Sequence, residues 1–300
     1  MSLRSLPSWL PLAAALCLWL EVSPLEAHEL YIRPSSFRPP AGERVGLALE
    51  VGHAFAGSPV ERRPGHLRRF VWMGSDGETR EVRGVDGALP AGWVVGAPEG
   101  LVTVSYESHA MHHELPPARF ESYLREEGLD EILALRRDRG ETSAAGRELF
   151  SRCAKTVLAV GDAGVAGRAP EGAVVAPGVT GRGVRDAATA SPGGMPAIGC
   201  PLELVPVAGL LDSGSQLTVR VLWEGNPLPG VLVRATRAGE LAASAALRSS
   251  SVGLATFDLD DGAWLLHAVH MTPLAPGGAG SEAADWRSVW TSLTFERRSE

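Results

Sequence analysis

Trp264-Leu265-Leu266-His267-Ala268-Val269-His270-Met271 is an unbroken apolar run interrupted by two histidines. It follows Gly262 and holds no proline or internal glycine, so it reads as a strand. Further strands are predicted around it at Leu202–Val207, Gln216–Trp223, Val231–Thr236, Leu254–Leu259 and Trp290–Glu296, with a turn at Gly225-Asn226-Pro227-Leu228-Pro229-Gly230. Short strands at this spacing predict an immunoglobulin-like or transthyretin-like sandwich over residues 200–300. His267 and His270 are an odd number of residues apart, so a regular strand points them to opposite faces. One of them is expected to be a partly buried structural histidine.

Working back toward the start, strands are predicted at Glu29–Ile32, Arg44–Val51, Leu67–Met73, Glu78–Arg83, Trp93–Val95 and Leu101–Tyr106. Residues 117–139 break the pattern. Phe120, Tyr123, Leu124, Leu129, Ile132, Leu133 and Leu135 recur at helical intervals, and Gly128 divides the stretch into two short helices. Acidic residues come early and Arg136 and Arg137 late, as the helix dipole prefers. A third short helix is expected at Ser143–Cys153, leading into a strand at Thr156–Val160. Residues 161–199 are rich in Gly, Ala and Pro without an aromatic residue, the composition of a flexible linker. The expected fold is therefore mainly β. An N-terminal sandwich with a helical segment spans 28–160, and a separate C-terminal sandwich spans 200–300.

Residues 1–27 have the layout of a secretory leader: Arg4, the apolar run Trp9–Leu20, then Leu25-Glu26-Ala27. Cleavage after Ala27 sends the chain to the periplasm and makes His28 its first residue. Cys17 lies inside the leader after Leu16, where a lipoprotein site needs a small residue, so a soluble product is expected. In an oxidising compartment Cys153 and Cys200 are expected to form one bridge, with two free thiols as the alternative. The formal net charge is -7 and no basic cluster stands out, which argues against a nucleic-acid partner.

A terminal His28 offers its α-amine and its imidazole to one metal ion as a chelate, and one further imidazole completes a nitrogen set suited to Cu(II) or Ni(II). His53, after Gly52 at a strand end, is the first candidate; as a turn histidine it needs no metal. His113 is the preferred third imidazole. In Ser108-His109-Ala110-Met111-His112-His113-Glu114, His109, Met111 and His113 share one face if the strand continues, and the Met111 thioether favours copper. His270 is the reserve ligand. Glu121, Glu126 and Glu127 read as a solvated helix face. No Gly-x-Ser-x-Gly elbow, P-loop, His-Glu-x-x-His or paired Cys-x-x-Cys occurs.

The order of His28-Glu29-Leu30-Tyr31-Ile32-Arg33-Pro34, Val51-Gly52-His53, Phe120–Leu129, Cys153-Ala154-Lys155, Pro201–Pro206, Gly262–Leu266 and Trp290–Glu296 resembles the bacterial DUF4198 family across nearly all of the mature chain. Members carry a label as periplasmic components of nickel or cobalt uptake. The resemblance implies an exported, metal-linked, β-rich protein that handles Ni, Co or Cu and meets a membrane uptake complex. Two other readings stand beside it. One is a copper-dependent oxidase using the terminal chelate, similar to lytic polysaccharide monooxygenases. The other is a structural pair of sandwiches that presents surfaces to a membrane complex.

Overall fold

The computed structural model describes residues 29–162, 195–211, 216–275 and 284–298. The described residues are mainly β with two short helices. Its first elements are β1 (Glu29–Pro34), β2 (Val45–His53), β3 (Ala56–Val60), β4 (Leu67–Met73), β5 (Thr79–Glu81), β6 (Gly92–Val94), β7 (Gly100–Ser108) and β8 (Met111–Leu115). Helices α1 (Pro117–Glu126) and α2 (Asp130–Asp138) follow, then β9 (Gly146–Val160). After the segment outside the described residues come β10 (Leu202–Ala208), β11 (Leu217–Trp223), β12 (Asn226–Pro227), β13 (Leu232–Arg237), β14 (Ala245–Arg248), β15 (Leu254–Phe257), β16 (Gly262–Pro273) and β17 (Trp286–Arg297).

The strands form three sheets. A nine-stranded sheet runs β14-β13-β16-β17-β9-β7-β4-β5, with β8 also on β9. One small sheet is β1-β2-β3 with β6, and the other is β10-β11-β12 with β15. Strand periodicity assigns each face of the large sheet its partner. On β16, Trp264, Leu266 and Ala268 pack with Leu204, Val219 and Val221 of the β10–β11 sheet. The alternate residues turn the other way: Leu265 meets Tyr31 and Phe55, while Val269 and Met271 meet Phe120, Tyr123 and Leu124 of α1. Leu30, Ile32 and Leu47 of the β1–β2 sheet pack with Val102, Val104, Ala154 and Leu158 of β7 and β9. Period-2 alternation thus produces two buried faces at once.

The two halves were expected to be separate sandwiches, but they share this central sheet. The join is parallel: β17 pairs with β9 from Trp286 opposite Glu148 to Thr294 opposite Thr156. Ser292 and Thr294 also donate hydroxyl hydrogens to the carbonyls of Leu30 (2.7 Å) and Ile32 (2.6 Å), which ties β1 across the last strand. Cys153 and Cys200 form the expected disulfide, and Lys155 pairs with Glu203 at 2.7 Å beside it.

The two helices occur where periodicity placed them, and Gly128 between them has φ of 65°, a conformation suited to glycine. The helix expected at Ser143–Cys153 is instead the first half of β9. Its residues lie between two partners, with Met111–Leu115 of β8 on one side and the start of β17 on the other. Ladder hydrogen bonds from both sides override the local preference of Glu, Leu and Arg for helix. The linker expected at 161–199 falls largely outside the described residues.

Candidate functional site

The site is built on His267 of β16. It stands on the face that carries Leu265 and Val269, between the contact with Tyr31 and Phe55 and the contact with α1. Three other elements close around it. β1 supplies Glu29, the end of α1 supplies Glu127, and β13 supplies Arg234, whose Cα lies opposite that of His267. Nδ1 of His267 lies 3.1 Å from Oε1 of Glu29, and Nε2 lies 3.3 Å from Oε2 of Glu127. Arg234 donates from Nη1 to Oε2 of Glu127 at 2.9 Å. The His267 side chain is 4% exposed, and those of Glu29 and Glu127 are 9% and 12% exposed, so water screens these charges little.

The electrostatics follow from that burial. Burial works against a charged His267, but the hydrogen bond to Glu127 and the charges of Glu29 and Glu127 outweigh it and hold its pKa above the ordinary value. Burial pushes Glu29 up, and His267 pulls it back only in part. Burial also pushes Glu127 up, but His267 and Arg234 together bring it below the usual carboxylate range. Two carboxylates therefore face one guanidinium and one imidazole in a low-dielectric junction, an arrangement that favours a cation.

His53 belongs to the same neighbourhood, since its charge acts on both Glu29 and Glu127. It ends β2, where Gly52 lies opposite Glu29. His53 pairs with Ala56 across a two-residue turn. Both turn residues, Ala54 (φ 51°) and Phe55 (φ 58°), are left-handed without being glycine. Such residues cost about 1–2 kcal/mol each. Packing offsets the cost: the buried Phe55 ring meets Tyr31 edge-on at 5.1 Å, and Arg33 lies over it at 4.3 Å while donating to the Phe55 carbonyl at 2.8 Å. Tyr31 accepts a hydrogen bond from the Gly57 amide at 2.5 Å and fixes the other side of the turn. Burial and the nearby Glu50 hold the Tyr31 pKa up at about 12, so it stays a neutral phenol here.

Of the other histidines named from the sequence, His113 and His270 lie apart from this cluster. His28 precedes Glu29 in the chain and lies outside the described residues. His113 is on β8, opposite Glu148 in register, with its ring against Phe150. His270 is half-buried on the face of β16 away from His267. It meets Trp223 edge-on at 4.6 Å, and burial pushes its pKa down. Among the described residues, no group of three or more His, Cys, Asp or Glu is placed to hold a metal ion. Glu29, Glu127 and Arg234 were not foreseen. Glu127 in particular is not a solvated helix residue, because β13 lies over the end of α1 and Arg234 reaches it.

No curated protein matches the sequence. The human OSCAR ligand-binding domain is 12% identical, with 90% of this chain and 98% of that chain covered and a TM-score of 0.20. The three N-terminal domains of the bacteriophage RB49 highly immunogenic outer capsid protein (Hoc) are 10% identical, with 89% and 59% covered and a TM-score of 0.17. At these scores neither likeness carries an argument about this chain. Residues 184–272 match DUF4198, described as a domain of unknown function, a span that includes Arg234 and His267. The chain carries a DUF4198 domain, and the resemblance read from the sequence holds for that part of it.

Proposed function

We propose that this is an exported periplasmic protein that binds a late first-row divalent metal, Ni, Co or Cu, and handles it for a membrane uptake complex. The observation that carries this reading is where His53 lies. It ends β2 next to the start of β1, in the neighbourhood of the two buried carboxylates beside His267. The residue that precedes β1 is His28, whose amine and imidazole form a chelate if the leader is cut after Ala27. Imidazole and amine nitrogens favour such metals over Mg(II) or Ca(II), which take oxygen ligands. His53, His28 and the acidic junction would hold the ion, and bound metal would act here as cargo. His113 and His270 stay secondary candidates.

The test compares the protein beginning at His28 with one carrying a single extra residue before it. The extension keeps every side chain and moves the free amine. Calorimetric titration with Ni(II) and Cu(II) should show tighter binding without the extension. Equal affinity in both forms removes the terminal chelate, and no binding in either removes the metal-binding reading.

A further inference from the structure

Two buried polar atoms at the junction make no hydrogen bond: Oε2 of Glu29 and Nδ1 of His267. This is unexpected, because Nδ1 sits only 3.1 Å from Oε1 of the same carboxylate. The two groups approach each other without the alignment a hydrogen bond needs. An unmade bond between buried polar groups weighs against the fold unless something else meets those atoms. The opposite edge of the ring is engaged, with Nε2 facing Oε2 of Glu127 at 3.3 Å. Arg234 directs its shorter bond to Glu127, at 2.9 Å against 3.5 Å to Nε2. Nε2 is thus engaged by Glu127, while Nδ1 is the ring atom left without a hydrogen bond beside a carboxylate, and a metal ion there would take the place of a proton.

We infer that Glu29 and His267 are an inner pair of ligands for a divalent transition metal, with Glu127 as the carboxylate that orients His267. This rests on the metal-binding reading above, and it changes the ligand set. The pair replaces His113 and His270 and adds an oxygen donor to the nitrogen set. Two atoms that each lie about 2.0–2.1 Å from one ion stand roughly 3 Å apart when they are neighbours in its coordination sphere. The observed 3.1 Å separation matches this spacing. Carboxylate–imidazole–metal chains of this kind are a common means of fixing the tautomer and raising ligand basicity. Here the outer carboxylate is held in turn by Arg234. The donors come from β1 and β16, so metal binding would join the start of the chain to the DUF4198 domain. The remaining positions on the ion are left to water.

Co(II) alone is the probe, added to chelator-stripped exported protein and followed by visible absorption and competition with a chromophoric chelator. Glu29→Gln keeps the shape of the side chain and removes a charged donor. It should weaken Co(II) binding and shift the absorption bands. His267→Ala should do the same by more than the roughly 10–100-fold loss expected when an outer partner is removed. Glu127→Gln should fall within that range and restore neither spectrum. His66→Ala, at a histidine remote from the junction in the chain and given no part in the site, should leave both affinity and bands unchanged. If the parent binds Co(II), and Glu29→Gln and His267→Ala bind it with parental affinity and bands, this inference is overturned while the metal-binding reading stands. If the folded parent binds no Co(II), Ni(II) or Cu(II), both fall.

Discussion

Glu203 is where the two halves of the chain are most exposed to a single change. Its carboxylate takes the Lys155 ammonium at 2.7 Å and the backbone amides of Ile198 (2.8 Å), Gly199 (3.0 Å) and Cys200 (3.1 Å). Both side chains of the ion pair are 2% exposed. Glu203→Gln keeps the volume but removes the charge. It also turns one acceptor into an NH2 group that faces either the ammonium or a backbone amide. Breaking one side of a buried ion pair costs about 3–5 kcal/mol, because the remaining charge stays out of water. At about 2–4 °C per kcal/mol for a chain of this size, the melting temperature should fall by roughly 6–20 °C. Lys155→Met should cost less, since the carboxylate then keeps three amide donors. Thermal unfolding followed by circular dichroism, with the disulfide intact, measures both. A fall of under about 2 °C for Glu203→Gln, or an equal cost for the two variants, would refute the view that the ammonium depends on this carboxylate.

Four further outcomes follow from the packing. A β-carbon on Gly146 would lie 2.1 Å from the Phe120 ring, so Gly146→Ala should displace α1 and cost at least the roughly 1–3 kcal/mol of ordinary overpacking; an unchanged denaturant midpoint would show that α1 does not seat on β9 there. Burial raises the pKa of Glu148 despite bonds from Ser288 and Tyr123, so the folded state holds that proton more tightly than the unfolded chain. Stability from this group is present below the ordinary glutamate value and is lost as pH rises through the raised one; Glu148→Gln should flatten that limb of a stability-against-pH curve. Cys153→Ser with Cys200→Ser opens a loop whose ends are 47 residues apart and should cost about 4 kcal/mol, read by urea unfolding; an unchanged midpoint would show that the two thiols are not bridged. A protease site placed within residues 163–194 should give fragments that co-elute after cleavage and reduction, because β9 and β17 pair along nine residues of register; separation on reduction alone would count against the shared sheet.

Much of this was readable from residue order, and the gaps have physical causes. Alternation along β16 correctly separated His267 from His270, because period 2 is a property of the strand itself. It could not say which of them met charged partners, since those come from β1, α1 and β13. The helical pair was legible because seven apolar residues at 3.6 spacing form one stripe, and Gly128 interrupts it where the chain turns. The first half of β9 was not, because its strand state depends on β8 and β17, and the latter begins at Trp286. Parallel pairing leaves no local mark in a sequence, so the shared sheet was hidden in the same way.

The junction around His267 has an energetic logic of its own. The position is flanked along the strand by Leu265 and Val269, each fully packed, so an apolar side chain would suit it. Instead the fold places an imidazole and two carboxylates there beside a half-buried guanidinium, and leaves two of their polar atoms without hydrogen bonds. Buried ionic groups contribute little net stability compared with apolar residues of similar volume. Glu29→Gln should therefore change the melting temperature far less than Glu203→Gln, although both remove a buried carboxylate. The difference lies in their partners: Glu203 is met by four donors, whereas Glu29 faces His267 without a bond to it. A Glu29→Gln variant as unstable as Glu203→Gln would mean that the junction is structural and that its misaligned pair belongs to the core.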